Sequence, residues 1–261
     1  MDKKDSQRNS SIGGRWAPTA NLSQASAALE HALNRSANLP GIVAYCGPSG
    51  VGKSMAASYC ANKFEGVYVE CRSFFTKKAF VFAVLKEMGI RPARTLAEMM
   101  DQAAEQLDLS QRPLIIDEMD HMVDRNAIEI VRDLYEMSRA TILLIGEEHF
   151  PSKLLRQSER FHNRVLTWLP AQPASLADCR QLAKFYAPEH GIDDGMLKLI
   201  LKASGGTARR ICVNIELVRQ HCVKQGLKEI DAEEWGKRPL YTGDAPRRPS
   251  GPDDEPPRRP A

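Results

Sequence analysis

The segment Gly47-Pro-Ser-Gly-Val-Gly-Lys-Ser54 constrains this chain more than any other feature. It fills every fixed position of the pattern G-x-x-x-x-G-K-[ST], and it stands between an apolar run, Ile42-Val-Ala-Tyr-Cys46, and a stretch of helical character. Gly47, Gly50 and Gly52 let the backbone curl so that successive N–H groups face inward, at the positive end of the helix that begins there. A strand, a glycine turn and a helix in that order cradle phosphate. Gly47, Pro48, Ser49, Gly50, Val51, Gly52, Lys53 and Ser54 are therefore the expected nucleotide-binding residues, with Lys53 reaching the β- and γ-phosphates of ATP and the Ser54 hydroxyl ligating Mg²⁺.

A metal-bound nucleotide needs a carboxylate at the end of a neighbouring strand, and Leu114-Ile-Ile-Asp-Glu118 supplies one. Asp117 closes the apolar run and is placed to hold the Mg²⁺ shell. Glu118 follows it and is placed to polarise an attacking water, which favours hydrolysis over storage of the nucleotide.

The rest of the chain repeats the same alternation. Val67–Cys71, Pro113–Asp117, Thr141–Ile145 and Val165–Leu169 are short apolar runs separated by helical stretches. Runs that are apolar throughout read as strands buried on both faces, so the pattern predicts a mostly parallel sheet covered by helices. After Pro170 and Pro173 only helical patterns remain, near 175–187, 193–203 and 207–225. The expected organisation is a flexible N-terminal segment (1–20), an α/β ATPase domain (21–172), an all-α lid (173–238) and a disordered Pro/Arg-rich tail (239–261).

Composition excludes several classes. At 261 residues and 43% hydrophobic, the chain is long enough for one core and a smaller companion. No apolar run approaches the roughly 20 residues that span a bilayer, and MDKKDSQRNSSIGG carries no apolar stretch, so neither a membrane protein nor a Sec-exported one is expected. The six cysteines form no C-x-x-C pair and the six histidines sit apart, which argues against zinc, a disulfide scaffold or a histidine-dependent nucleophile. The 36 basic and 33 acidic side chains nearly cancel, leaving a net charge of +3, so any nucleic-acid surface must be local. Arg72-Ser-Phe-Phe-Thr-Lys-Lys78 is the main candidate, with Arg72, Lys77 and Lys78 as phosphate contacts. Arg94 in Arg91-Pro-Ala-Arg94 and Arg125 after the carboxylate pair are the others. Phe74 and Phe75 are read as core or subunit-packing residues.

In their order along the chain, the Gly47–Ser54 loop, Asp117-Glu118, Ile142-Leu-Leu-Ile-Gly146, Ser158-Glu-Arg-Phe161 and Gly205-Gly-Thr-Ala-Arg209 resemble the AAA+ ATPases. The resemblance implies a five-stranded parallel sheet of order 5-1-4-3-2, helices on both faces and a C-terminal helical lid. It implies ATP hydrolysis with Mg²⁺ and assembly of the chain with itself. It also implies an arginine finger for a neighbouring subunit's ATP, either Arg160 or Arg164, and a lid arginine at Arg209, with Arg210 as the alternative. One departure stands out: where the family usually has Asn, Thr or Ser after the fourth strand, this chain reads Gly146-Glu147-Glu148. An anion there repels phosphate, which fits a slow, partner-dependent switch better than a motor.

Residues 143–164, Leu-Leu-Ile-Gly-Glu-Glu-His-Phe-Pro-Ser-Lys-Leu-Leu-Arg-Gln-Ser-Glu-Arg-Phe-His-Asn-Arg, bring the chain near the target-selecting transposition protein B group of Mu-like phages. That resemblance implies ATP-dependent, sequence-independent binding of duplex DNA, helical filaments, a transposase as partner and the cytoplasm of a bacterial host. The group's N-terminal helix-turn-helix domain has no expected counterpart before residue 21. The second expectation is a helicase loader or replication initiator.

Overall fold

The computed structural model describes residues 16–36 and 38–244. In chain order the α/β part comprises α1 (Ala20–Leu33), β1 (Ile42–Cys46), α2 (Lys53–Lys63), β2 (Val67–Glu70), α3 (Lys77–Glu87), α4 (Leu96–Ser110), β3 (Leu114–Asp117), α5 (Asp120–Asp124), α6 (Glu129–Ser138), β4 (Ile142–Gly146), α7 (Phe150–Gln157), α8 (Glu159–His162) and β5 (Val165–Pro170). The C-terminal part follows as α9 (Leu176–Tyr186), β6 (Gly191–Ile192), α10 (Asp194–Ser204), α11 (Ala208–Gln225), β7 (Glu229–Ile230) and α12 (Ala232–Trp235).

The five long strands pair in parallel in the order β2-β3-β4-β1-β5. This is the expected 5-1-4-3-2 sheet counted from the other edge. Alternation along each strand explains the unbroken apolar runs. Ile42, Ala44, Leu114, Ile116, Ile142 and Leu144 face a core built with α3, α4 and α6, whereas Val43, Tyr45, Ile115, Leu143 and Ile145 face one built with α1 and α2. Register then fixes where function can sit. Cys46 is level with Gly146, and Glu70 with Asp117, so the turns after β1, β3 and β4 open along the same edge.

The C-terminal part packs α9, α10 and α11 around its own core, which includes Leu182, Met196, Ile200, Ile215, Val218 and Trp235. The expectation that strands end at Pro170 needs correcting, because β6 and β7 pair in parallel through two residues each. A bridge so short carries no alternation for a sequence to display. Ordered chain also extends past residue 238. The buried Asn214 amide donates to Tyr241 O at 2.9 Å and accepts from Tyr241 N at 2.7 Å, tying that segment to α11. At the other end Trp16 lies edge-on to Tyr59 of α2, within the expected flexible segment. Residues 1–15 and 245–261, including both Pro-Arg-Arg-Pro units, lie outside the described residues.

All six cysteines are free, and burial pushes the thiols of Cys46, Cys60 and Cys71 up to about 12. Among the described residues no helix is long and apolar enough to cross a membrane.

At the entry to β1, Gly41 O accepts Ile142 N–H at 3.0 Å and Gly41 N–H, which is buried, donates to the Tyr135 hydroxyl of α6 at 2.9 Å. Removing the hydroxyl leaves a buried donor unpaired. Tyr135→Phe should lower stability by about 1–3 kcal/mol in urea unfolding, whereas an unchanged midpoint would show that Gly41 finds another partner.

Candidate nucleotide site

The loop after β1 is shaped by its glycines at two points. Gly50 has φ +81°, and a Cβ there would also fall 2.8 Å from Thr207 Cγ2. Gly52 has φ +99° and caps α2, whose first residue is Lys53. The first N–H groups of α2 have no carbonyl one turn earlier and are turned toward the loop. Lys53 Nζ donates to Gly47 O at 2.7 Å and to Pro48 O at 2.8 Å. Burial pushes the Lys53 pKa down, and the carboxylates of Glu118, Asp117, Glu147 and Asp120 oppose that shift.

Asp117 closes β3 and is 2% exposed. Its Oδ2 accepts the Tyr68 hydroxyl from β2 at 3.0 Å, and its Oδ1 accepts Glu118 N–H at 2.9 Å. Glu118 sits at φ +54°, a left-handed conformation costing of order 1 kcal/mol outside glycine. The turn is held there by Met119 N–H donating to Ile145 O at 2.9 Å. Burial first, and the neighbouring Asp117 second, push the Glu118 pKa up. A carboxylate with a raised pKa is a better acceptor for a water proton than an ordinary one. One turn on, buried Asp120 accepts Glu147 N–H at 2.6 Å and so fixes the turn after β4.

These elements line one cavity of about 670 Å³. Lys53, Ser54, Glu118, Glu147 and Arg209 supply the charged and polar part of its lining. The second half of the lining is apolar and aromatic, with Trp16, Leu22, Leu182, Phe185, Tyr186 and Cys212, and suits a flat base. Sequence reasoning missed this second half, because residues from the N-terminal segment, α1, α9 and α11 meet only in the fold. Hydrogen bonds knit those segments to the loop. Asn21 Nδ2 donates to Val51 O at 3.0 Å and Gln172 O at 2.8 Å, Ala20 N–H donates to Asp178 Oδ1 at 2.7 Å, and Arg209 N–H donates to Gly50 O at 3.0 Å.

Of the two lid arginines, Arg209 lines the cavity, whereas the Arg210 guanidinium lies against Gly243. Arg160 and Arg164 do not line it. They border a separate groove with Arg132, Asp133 and Glu136. Arg164 is paired with Glu136, while Arg160 is exposed and has no ion pair among the described residues. The donors present suit Mg²⁺: Ser54, the second residue of α2, is exposed, and each Asp117 oxygen keeps a lone pair beyond its one hydrogen bond. Two hard oxygen donors match an ion that takes its remaining ligands from phosphate and water.

The basic candidates gather at a neighbouring surface. Arg72 follows β2, Lys77 and Lys78 open α3, Lys78 Nζ donates to Arg94 O at 2.7 Å, and Arg125 donates to Ser73 O. All five are exposed. Phe75 packs against the core, but Phe74 is 62% exposed with its ring edge-on to Phe75, so the core reading holds for only one of the two.

Residues 36–154 match the family model described as AAA domain. The fold of the chain is that of the AAA+ P-loop NTPases, with the lid helices following the domain. The structure is similar to the Aeropyrum pernix ORC2 protein in its ADPNP-ADP complexes, with TM-score 0.65 and 14% identity over 82% of this chain and 65% of that one. It is similar to the Aeropyrum pernix ORC1 protein in complex with DNA, with TM-score 0.58 and 18% identity over 82% and 62%. The Thermotoga maritima RuvB Holliday junction branch migration motor gives 0.56 and 19% over 82% and 65%. Domain III of the Thermotoga maritima replication initiation protein DnaA gives 0.55 and 16% over 84% and 91%. The chain thus spans slightly under two thirds of the ORC2, ORC1 and RuvB chains. No curated protein matches it. The resemblance of residues 143–164 to the transposition protein B group therefore stands on sequence alone.

Tyr68 was not singled out by sequence, since a tyrosine within an apolar strand carries no visible signal. Tyr68→Phe should leave ATP binding without metal unchanged and raise the Mg²⁺ concentration needed for half-maximal hydrolysis several-fold. An unaltered Mg²⁺ dependence would show that Asp117 is held without it.

Proposed function

We propose that this chain is an ATP-controlled, DNA-binding ATPase that assembles with copies of itself on duplex DNA, of the loader or initiator kind. The observation that carries the reading is the single cavity lined by the phosphate loop, Glu118 and Arg209, with Asp117 next to Glu118 in sequence, while Arg160 is exposed at a separate groove. In this reading Lys53 leaves its own loop carbonyls for the β- and γ-phosphates. Glu118 takes the proton of the attacking water, and Ser54 and Asp117 hold Mg²⁺, which offsets phosphate charge as the bond breaks. Arg209 reports the terminal phosphate to the lid. Arg160, unpaired where Arg164 is engaged with Glu136, is the better arginine finger for a neighbouring copy. Arg72, Lys77, Lys78, Arg94 and Arg125 would meet DNA phosphates, and such contacts carry no base sequence.

The initiator and loader reading is supported by the folds shared with ORC and DnaA proteins, one of them solved with DNA. The transposition reading, in which the chain delivers target DNA to a transposase in a bacterial host cytoplasm, is supported by the sequence of residues 143–164. Electron microscopy with duplex DNA and ATP separates them. Discrete rings that need a helicase partner favour the loader, and continuous filaments on any duplex, lost with ADP, favour transposition.

Lys53→Ala should abolish ATP binding and with it ATP-dependent DNA binding. Glu118→Gln should bind ATP, lose at least about a hundredfold in hydrolysis and hold DNA longer. Normal turnover by Glu118→Gln would remove Glu118 from the water-activating role. Lys77→Ala with Lys78→Ala should reduce the salt slope of DNA affinity by about two and leave ATP binding without DNA intact. An unchanged slope would take this surface out of the DNA contact.

A further inference from the structure

The turn after β4 places a carboxylate in the cavity that the phosphate loop lines. Glu147 lines the cavity together with Lys53, Ser54 and Glu118. Its strand β4 lies beside β1 with Gly146 level with Cys46, and Gly47 N–H donates to Gly146 O at 3.4 Å. Glu147 is therefore one residue from the base of the phosphate loop. Its backbone is held on both sides: N–H donates to buried Asp120 at 2.6 Å, and its carbonyl accepts Phe150 N–H at 3.1 Å. The neighbouring Glu148 carries the same charge and does not line the cavity.

A neutral hydrogen-bonding residue at this place would attract the terminal phosphate, whereas a fixed anion repels it. The diphosphate ends one phosphate short and feels the repulsion less, since the interaction falls with distance. We propose that Glu147 is a specificity determinant that weakens binding of the nucleoside triphosphate relative to the diphosphate. The chain would then stay in the diphosphate form until triphosphate is abundant or a cation from a partner offsets the charge. This inference rests on the nucleotide reading of the cavity given above.

The test compares the affinities of wild type, Glu147→Gln and Glu148→Gln for ADP and for a slowly hydrolysed ATP analogue at saturating Mg²⁺. Circular dichroism confirms that each protein is folded. Glu147→Gln should raise the ratio of analogue to ADP affinity by about tenfold, and Glu148→Gln should leave it within twofold of wild type. An unchanged ratio in Glu147→Gln, or an equal rise in both variants, would overturn the proposal. If wild type binds neither nucleotide, the reading of the cavity fails and this inference fails with it.

Discussion

A glycine-rich loop has many backbone polar groups and no side chains to hold it, so its shape depends on partners elsewhere. Here each partner comes from a different element: Gly146 O accepts from Gly47 N–H, Asn21 donates to Val51 O, and Arg209 N–H donates to Gly50 O. Buried N–H and C=O groups must be paired, and these pairings bring β4, α1 and the lid to the same point. The cavity follows from that requirement. The loop supplies much of its polar lining, and α1 with the lid helices α9 and α11 supplies much of its apolar lining.

Charge is the second organising term. Lys53 is half-buried, which disfavours its ammonium, and four carboxylates nearby offset part of that effect. Those carboxylates are not equivalent. Asp117 and Asp120 are buried and each fixes a turn through a backbone N–H, with Asp117 keeping lone pairs to spare, whereas Glu118 and Glu147 line the cavity. The left-handed backbone at Glu118 is the local strain that aims it there. The same reasoning separates the arginines, since Arg164 is paired with Glu136 and Arg160 has no ion pair among the described residues.

The sheet and the phosphate loop were legible because both write long or rigid patterns into sequence. Five short, largely apolar runs announce strands, of which the central β1, β3 and β4 are buried throughout and the edge strands β2 and β5 are not, and Gly47–Ser54 has almost no tolerated variation in its fixed positions. Asp117 and Glu118 were legible because two acids ending an apolar run are informative beside such a loop. Trp16, Phe185, Tyr186 and Cys212 were not, since an apolar cavity wall has the composition of any core. Tyr68 and Asp120 were hidden for another reason: their work is a hydrogen bond between strands or turns distant in the chain. The two-residue pairing of β6 with β7 is below the length at which period has meaning.

The central claim is that one chain supplies most of an ATP site and a second copy completes it. It is tested by mixing two variants, Lys53→Ala, which keeps Arg160 but cannot hold ATP, and Arg160→Ala, which holds ATP but lacks the finger. On duplex DNA each alone should be inactive, and the equimolar mixture should recover a clear fraction of wild-type ATP hydrolysis. A mixture no more active than its components, or an Arg160→Ala protein with full activity by itself, would contradict the account.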